Sequence, residues 1–313
     1  MIKETAFDYD NCIYYVQKDE GSDLVKFGFK CNCTKEILAN GGQEMLEEQY
    51  KEYIIPQSEA LPDYDLTLGI DATKLPKTQK VKKTMDEAEQ AKIKAQNEEI
   101  RKERDKVAEE ICYKFSCFKK DFLGAPIRRA LKALQTGSGK PEHSCQISYR
   151  LDEKYWVIAS KGEVTVSFGL QFDNHTDRAL ARIFLLEFSD SKRYVKNPPA
   201  IMYHENKLSD SVVYTIPEAI TSVFPDASKL KYSNGVISFT LFPGHVKDGL
   251  EQPLAFLIGF RQYLHYHFHA IKTSLHTRMR KRVETFQRVL TKAKRDQETG
   301  TRKFKETIGG TQH

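Results

Sequence analysis

Long apolar runs are missing from this chain: no stretch approaches the roughly 20 apolar residues that a membrane span requires. The opening MIKETAFDYD has neither a basic start nor an apolar core, so no secretory signal is expected there. Tryptophan occurs once, and the six cysteines (Cys12, Cys31, Cys33, Cys112, Cys117 and Cys145) include no C-x-x-C pair. Reduced, buried thiols in a cytoplasmic protein are the expectation that follows. Cys31-x-Cys33 is half of a zinc motif whose other half is absent, and reads better as a pair of strand residues. The sequons Asn32-Cys33-Thr34 and Asn174-His175-Thr176 are then accidental. Catalytic fingerprints are missing too. GSGK (137–140) lacks the earlier glycine of a phosphate loop and is followed by Pro141. There is no G-x-S-x-G, no kinase set and no dinucleotide fingerprint. No enzymatic activity, cofactor or metal is expected.

What is present is a globular composition, with 40% apolar and 29% charged residues over 313 positions, enough chain for two cores. The net charge of +6 is unevenly placed. Residues 261–295 hold ten Lys/Arg and one acid, Glu284, a local excess of +9 that leaves −3 for everything else. A near-neutral body carries one basic segment.

Two stretches match at a fixed offset of 141 residues. YYVQKDEGSDLVKFGF (14–29) and YWVIASKGEVTVSFGL (155–170) share Tyr, Val, Gly, Val, Phe and Gly in register. Each reads as a strand, a polar turn with Gly21 or Gly162, and a second strand. Further strand patterns lie at 145–150, 181–188, 200–204 and 235–242, joined mostly by short turns that favour antiparallel pairing. Each copy is followed by a helix, near 107–134 in the first. The fold class is therefore α+β, with two similar modules of mainly antiparallel sheet plus helix and a long C-terminal helix. The expected boundaries are a first module at 1–136, a linker at 137–143, a second module at 144–248, the C-terminal helix at 249–296 and a flexible tail at 297–313. Residues 77–110 are almost wholly charged, Gln or Ala, and read as a solvated helical insertion in the first module.

RQYLHYHFHAIKTSLHTRMRKR (261–282) holds four of the nine histidines. His265, His267 and His269 would share one face of a strand and could then hold a metal. Apolar residues at Leu257, Phe260, Leu264, Phe268, Ile271, Leu275, Met279, Val283, Phe286 and Leu290 step by three or four throughout, which is a helix. The histidines then flank an apolar stripe, and no H-E-x-x-H completes a metal site. Some 43 residues at about 1.5 Å each make a rod of roughly 65 Å, longer than a module of about 110 residues is wide. The stripe thus predicts a partner helix, packed on Leu257, Phe260, Leu264, Phe268, Ile271, Leu275, Met279, Phe286 and Leu290. Two plainer readings remain: a helix folded back over the first module, and a basic face that is merely solvated.

GVISFTLFPGH (235–245) followed by FRQYLHYHFHAIKTSLHTRMRKR (260–282) resembles the subunit-2 family of the actin-related protein 2/3 complex, which nucleates actin branches. ARIFLLEFSDSKR (181–193) and FDYDNCIYYV (7–16) are similar to family segments in the same order. The 77–110 insertion departs from the family, where a shorter link is expected. The resemblance implies a non-catalytic core scaffold in the cytoplasm that pairs with subunit 4 and contacts the mother filament. It makes Arg278, Arg280, Lys281, Arg282, Arg288, Lys292 and Arg295 candidates for filament contact. The alternative is an RNA-binding or other basic-helix interaction module, with a membrane-surface helix behind it. Nucleic acid and membrane insertion are not expected.

Overall fold

The structure, a computed structural model, describes residues 1–8, 12–78, 87–138, 140–190, 197–205 and 216–308, with backbone alone at 87–90, 141 and 293–308. One compact unit spans Met1–Phe260 and a second spans Arg261–His313.

The first unit contains two antiparallel sheets. Strands Ile2–Phe7 (β1), Ile13–Lys18 (β2), Leu24–Lys30 (β3) and Leu66–Asp71 (β4) pair in the order β1-β2-β3-β4, with helices Thr34–Ile37 (α1) and Gln43–Gln49 (α2) between the last two. Helices Glu87–Ser116 (α3), Phe118–Leu123 (α4) and Ala125–Gln135 (α5) follow. The second sheet comprises Cys145–Ile147 (β5), Tyr155–Ser160 (β6), Glu163–Gly169 (β7), Ala200–His204 (β8) and Val236–Leu241 (β9), ordered β5-β6-β7-β9-β8. Helices His175–Asp190 (α6) and Glu218–Thr221 (α7) interrupt it, Pro243–Val246 (α8) follows, and Glu251–Ile308 (α9) closes the chain. Two antiparallel sheets, each followed by helices, make this the α+β class read from the strand periodicity.

The matched stretches are the hairpins β2–β3 and β6–β7, and the alignment hides a shift. Tyr14 pairs with Phe29, whereas its counterpart Tyr155 pairs with Phe168, two residues short of Leu170. The second hairpin closes across two residues, Lys161 and Gly162, with Gly162 at φ +92°. The first uses a longer loop after Lys18. A slip of two preserves which face each side chain occupies, so both hydrophobic patterns survive it.

One matched pair shows the same packing in both copies. A Cβ on Gly28 would lie 2.8 Å from the Tyr64 ring, and one on Gly169 would lie 2.5 Å from the Tyr232 ring. In each sheet an aromatic ring sits directly on bare backbone, and only glycine leaves room for it. Tyr232 also meets Trp156 edge-on at 5.9 Å, in a buried cluster with Ile220, Ala227 and Val236. Gly169→Val should therefore force the Tyr232 ring out of place and destabilise the fold by about 1–3 kcal/mol. Thermal unfolding checks this; an unchanged midpoint would refute the packing argument.

Two helical readings need correction. Residues 181–188, expected as a strand, lie within α6. Asn174 Oδ1 accepts from the Thr176 N–H at 2.8 Å and starts that helix; Ala181 and Leu185 are buried while Ile183 and Leu186 are exposed. That spacing of four is helical, and the run Ile183–Phe184–Leu185–Leu186 masks it. The single helix expected near 107–134 is three. The helix is interrupted at Cys117 and Gly124, although both keep right-handed helical backbone angles, and Pro126 sits in the first turn of α5, where a missing N–H costs nothing.

α4 packs on the first sheet, and α5 lies against β6 and β7 of the second. Phe118 packs on Phe27, Phe29 and Tyr50 at 5.1–5.4 Å, and Ile127, Ala130, Leu131 and Leu134 are fully buried. On the second sheet, Phe260 of α9 lies 4.9 Å from Phe239 and 5.7 Å from Phe168. Between the two, Arg128 and Asp121 form a buried pair at 2.7 Å. Glu251, in the first turn of α9, bonds both Arg128 and Lys120. Most side chains of α3 are exposed; residues 79–86 of the 77–110 insertion lie outside the described residues.

Candidate partner-binding helix

α9 begins with polar residues and carries Pro253 in its first turn. Along its apolar stripe, burial ends abruptly. Leu257, Phe260, Leu264 and Phe268 are all buried within the chain itself. From there on, Ile271 is 38% exposed, Met279 58% and Phe286 64%, with Leu275 and Leu290 similarly open. The expected seam thus divides. Its first four positions are already covered and have no side-chain surface to give to another protein. The remaining five do.

Two exposed residues outside the expected interface set belong with those five. Val283 and Val289 are 56% and 59% exposed. At about 100° per residue, Ile271, Leu275, Met279, Val283, Phe286, Val289 and Leu290 fall within one arc of about 120°. The three-residue step from Phe286 was the available signal for Val289. Burying a large apolar side chain fully is worth about 1.5–3 kcal/mol, so this half-exposed strip offers roughly 5–10 kcal/mol of gross burial to a partner.

The cations separate on the same helical wheel. Arg282 lies about 20° from Ile271, inside the apolar arc, and Arg278 lies just past its edge. Arg280, Lys281, Arg288 and Lys292 lie at roughly 180–300°, on the opposite side. All six are exposed, and Arg288 pairs with Glu284 at 2.5 Å. The side chain of Arg295 lies outside the described residues. On that polar side, Thr273, Thr277 and Thr291 each donate to the carbonyl four residues earlier, so their hydroxyls are satisfied within the helix.

The other expectations can be placed as well. Rings of His265 and His269 stack at 6.2 Å, one turn apart on α9. Among the described residues, no group of three His, Cys, Asp or Glu side chains is arranged to hold a metal. Cys12, Cys31, Cys33 and Cys145 are buried, Cys117 is half-buried and Cys112 is exposed; Cys31 and Cys33 sulfurs sit 3.8 Å apart. An RNA platform needs several exposed sheet aromatics; Phe27, Phe29, Tyr155, Trp156, Phe168 and Phe239 are buried, and among the described strand residues only Phe7, at the end of β1, is an exposed ring. No described helix is long and apolar enough to cross a membrane.

The chain is similar to known proteins over most of its length. The chain is 27% identical to "Actin-related protein 2/3 complex subunit 2" of Dictyostelium discoideum over 288 residues, 92% of this chain and 83% of that protein. It is 25% identical to the protein of the same name from Schizosaccharomyces pombe over 322 aligned positions, 95% of this chain and 87% of that protein. A family model described as "Arp2/3 complex, 34 kD subunit p34-Arc" matches residues 27–297, a span that takes in the whole second sheet, part of the first and most of α9. This chain belongs to the p34-Arc family of Arp2/3 complex subunits.

Proposed function

We propose that this chain is a non-catalytic core scaffold of the Arp2/3 complex that pairs through the exposed part of α9 with a helix of subunit 4. Its polar side, at Lys281 and Lys292 above all, contacts the mother filament during branched nucleation in the cytoplasm. The observation that carries the reading is the apolar strip from Ile271 to Leu290, which stays exposed on a helix whose earlier stripe is buried. A strip of that length on one helix calls for another helix, and family membership says which assembly would supply it. The cations opposite the strip suit an acidic filament, which they would steer and orient.

The helical wheel changes which substitution tests filament contact. Arg282→Glu would place a carboxylate in the seam and confound assembly with filament binding. Lys281→Glu with Lys292→Glu avoids the seam. In the assembled complex this pair should weaken filament co-sedimentation by about tenfold at moderate salt, with subunit composition unchanged. Undiminished co-sedimentation would remove the polar side of α9 from the contact.

A further inference from the structure

Apolar steps of three and four run down α9 through Phe268, Ile271, Leu275 and Met279, and resume at Phe286 and Val289. The place between Met279 and Phe286 belongs to Arg282, three residues after the one and four before the other. Met279 and Phe286 are both more than half exposed, so Arg282 stands in the open part of the seam. A helix laid on this strip covers Arg282 along with its apolar neighbours. A guanidinium keeps its proton in any protein environment, so it enters such a contact as a full charge.

The helix supplies no counter-charge of its own. Ion pairs on a helix need a spacing of three or four residues, and those places around Arg282 hold Arg278, Met279, Thr285 and Phe286. Arg278 adds a second cation one turn away. Glu284, the one acid between Arg261 and Arg295, lies about 200° round the helix from Arg282 and pairs with Arg288. Arg282 itself is exposed and makes no ion pair among the described residues.

We propose that the helix which packs on this strip carries an Asp or Glu within its own apolar face, opposite Arg282, and that this pair sets the register of the two helices. The inference rests on the pairing reading above and names what the partner must present. Arginine's planar fork takes both oxygens of a carboxylate, so the pair is directional where the apolar contacts around it are not. One charged core position penalises every register that sets it against an apolar residue. An anionic bilayer would also accept an apolar strip flanked by cations, but it offers no fixed partner and selects no register.

Fluorescein-labelled subunit 4 is titrated by anisotropy against the full chain. Arg282→Met is similar in length and carries no charge, so the sign of its effect decides. An opposing carboxylate would be stranded, and binding should weaken about tenfold or more. With no carboxylate there, the same substitution adds apolar contact and leaves affinity equal or higher, which overturns the proposal. Replacing the acids of the subunit 4 helix by Leu, one at a time, should then find one that restores Arg282→Met to within about threefold of wild type. If none does, the proposal falls. Phe286→Asp with Leu290→Asp, run in parallel, separates the two readings. Wild-type binding by that variant removes the pairing and the proposal together; its loss beside undiminished Arg282→Met leaves the pairing and removes the acidic partner. Phosphatidylserine vesicles that displace labelled subunit 4 would make the strip a lipid face and overturn both.

Discussion

A chain carrying Phe286→Asp and Leu290→Asp is expected to fold normally and fail to pair with subunit 4. Both side chains are more than half exposed, so the chain's own fold does not rely on them. In a helix pair the exposed part of each would be buried, worth a little over half of the roughly 1.5–3 kcal/mol of full apolar transfer. Losing both costs about 2–3 kcal/mol, a factor of roughly 30–150 in affinity, before the cost of placing two carboxylates against a greasy face. The measurement is co-expression with subunit 4 followed by size-exclusion chromatography, with thermal unfolding of the lone chain as control. Loss of the co-eluting pair with an unchanged unfolding midpoint is the expected result. Co-elution in wild-type proportion would mean that the strip faces something else, and Leu257→Asp would not serve as a substitute because that residue is buried within the chain.

Much of this was legible in the residues. Strand-like runs between polar turns placed β6 and β8 at their observed bounds, and steps of three and four marked α9 as a helix. Three features were not. The two-residue slip between the hairpins depends on how tightly Lys161 and Gly162 turn, and an ungapped alignment cannot register that. α6 was misread because four consecutive apolar residues look alike at either period. Most important for the site, periodicity draws the stripe from Leu257 to Leu290 as one uniform seam. It cannot say where burial stops, since that depends on tertiary contacts far away in sequence: Phe168 and Phe239, which cover Phe260, precede it by 92 and 21 positions. The placement of Arg282 within the apolar arc was available from its number alone, but it mattered only once the open part of the seam was known.

Arg128→Ala should be the most damaging single substitution in the body of the protein. Arg128 lies on α5, and its side chain is almost wholly buried. Its guanidinium bonds Asp121 at 2.7 Å and holds Glu251 at the start of α9. Tyr50 also donates to Asp121, at 3.2 Å. Truncation leaves the Asp121 charge buried without its main partner, a loss of about 3–5 kcal/mol, which lowers the unfolding midpoint by roughly 10 °C in a domain of this size. The pH dependence identifies the mechanism. Arg128, and Lys120 after it, hold the Glu251 carboxyl down to about 2 against an ordinary 4.5. A depressed carboxylate stabilises the fold fully above its unfolded value, and that contribution is lost as pH falls from about 4.5 through about 2. The gap between wild type and Arg128→Ala should therefore narrow in that window, while Arg128→Met paired with Asp121→Leu, which leaves no orphaned charge in the core, should recover most of the stability at pH 7. If the double variant is no more stable than Arg128→Ala, neither the orphaned Asp121 charge nor vacated volume is the source of the loss, and the missing bond from Arg128 to Glu251 is.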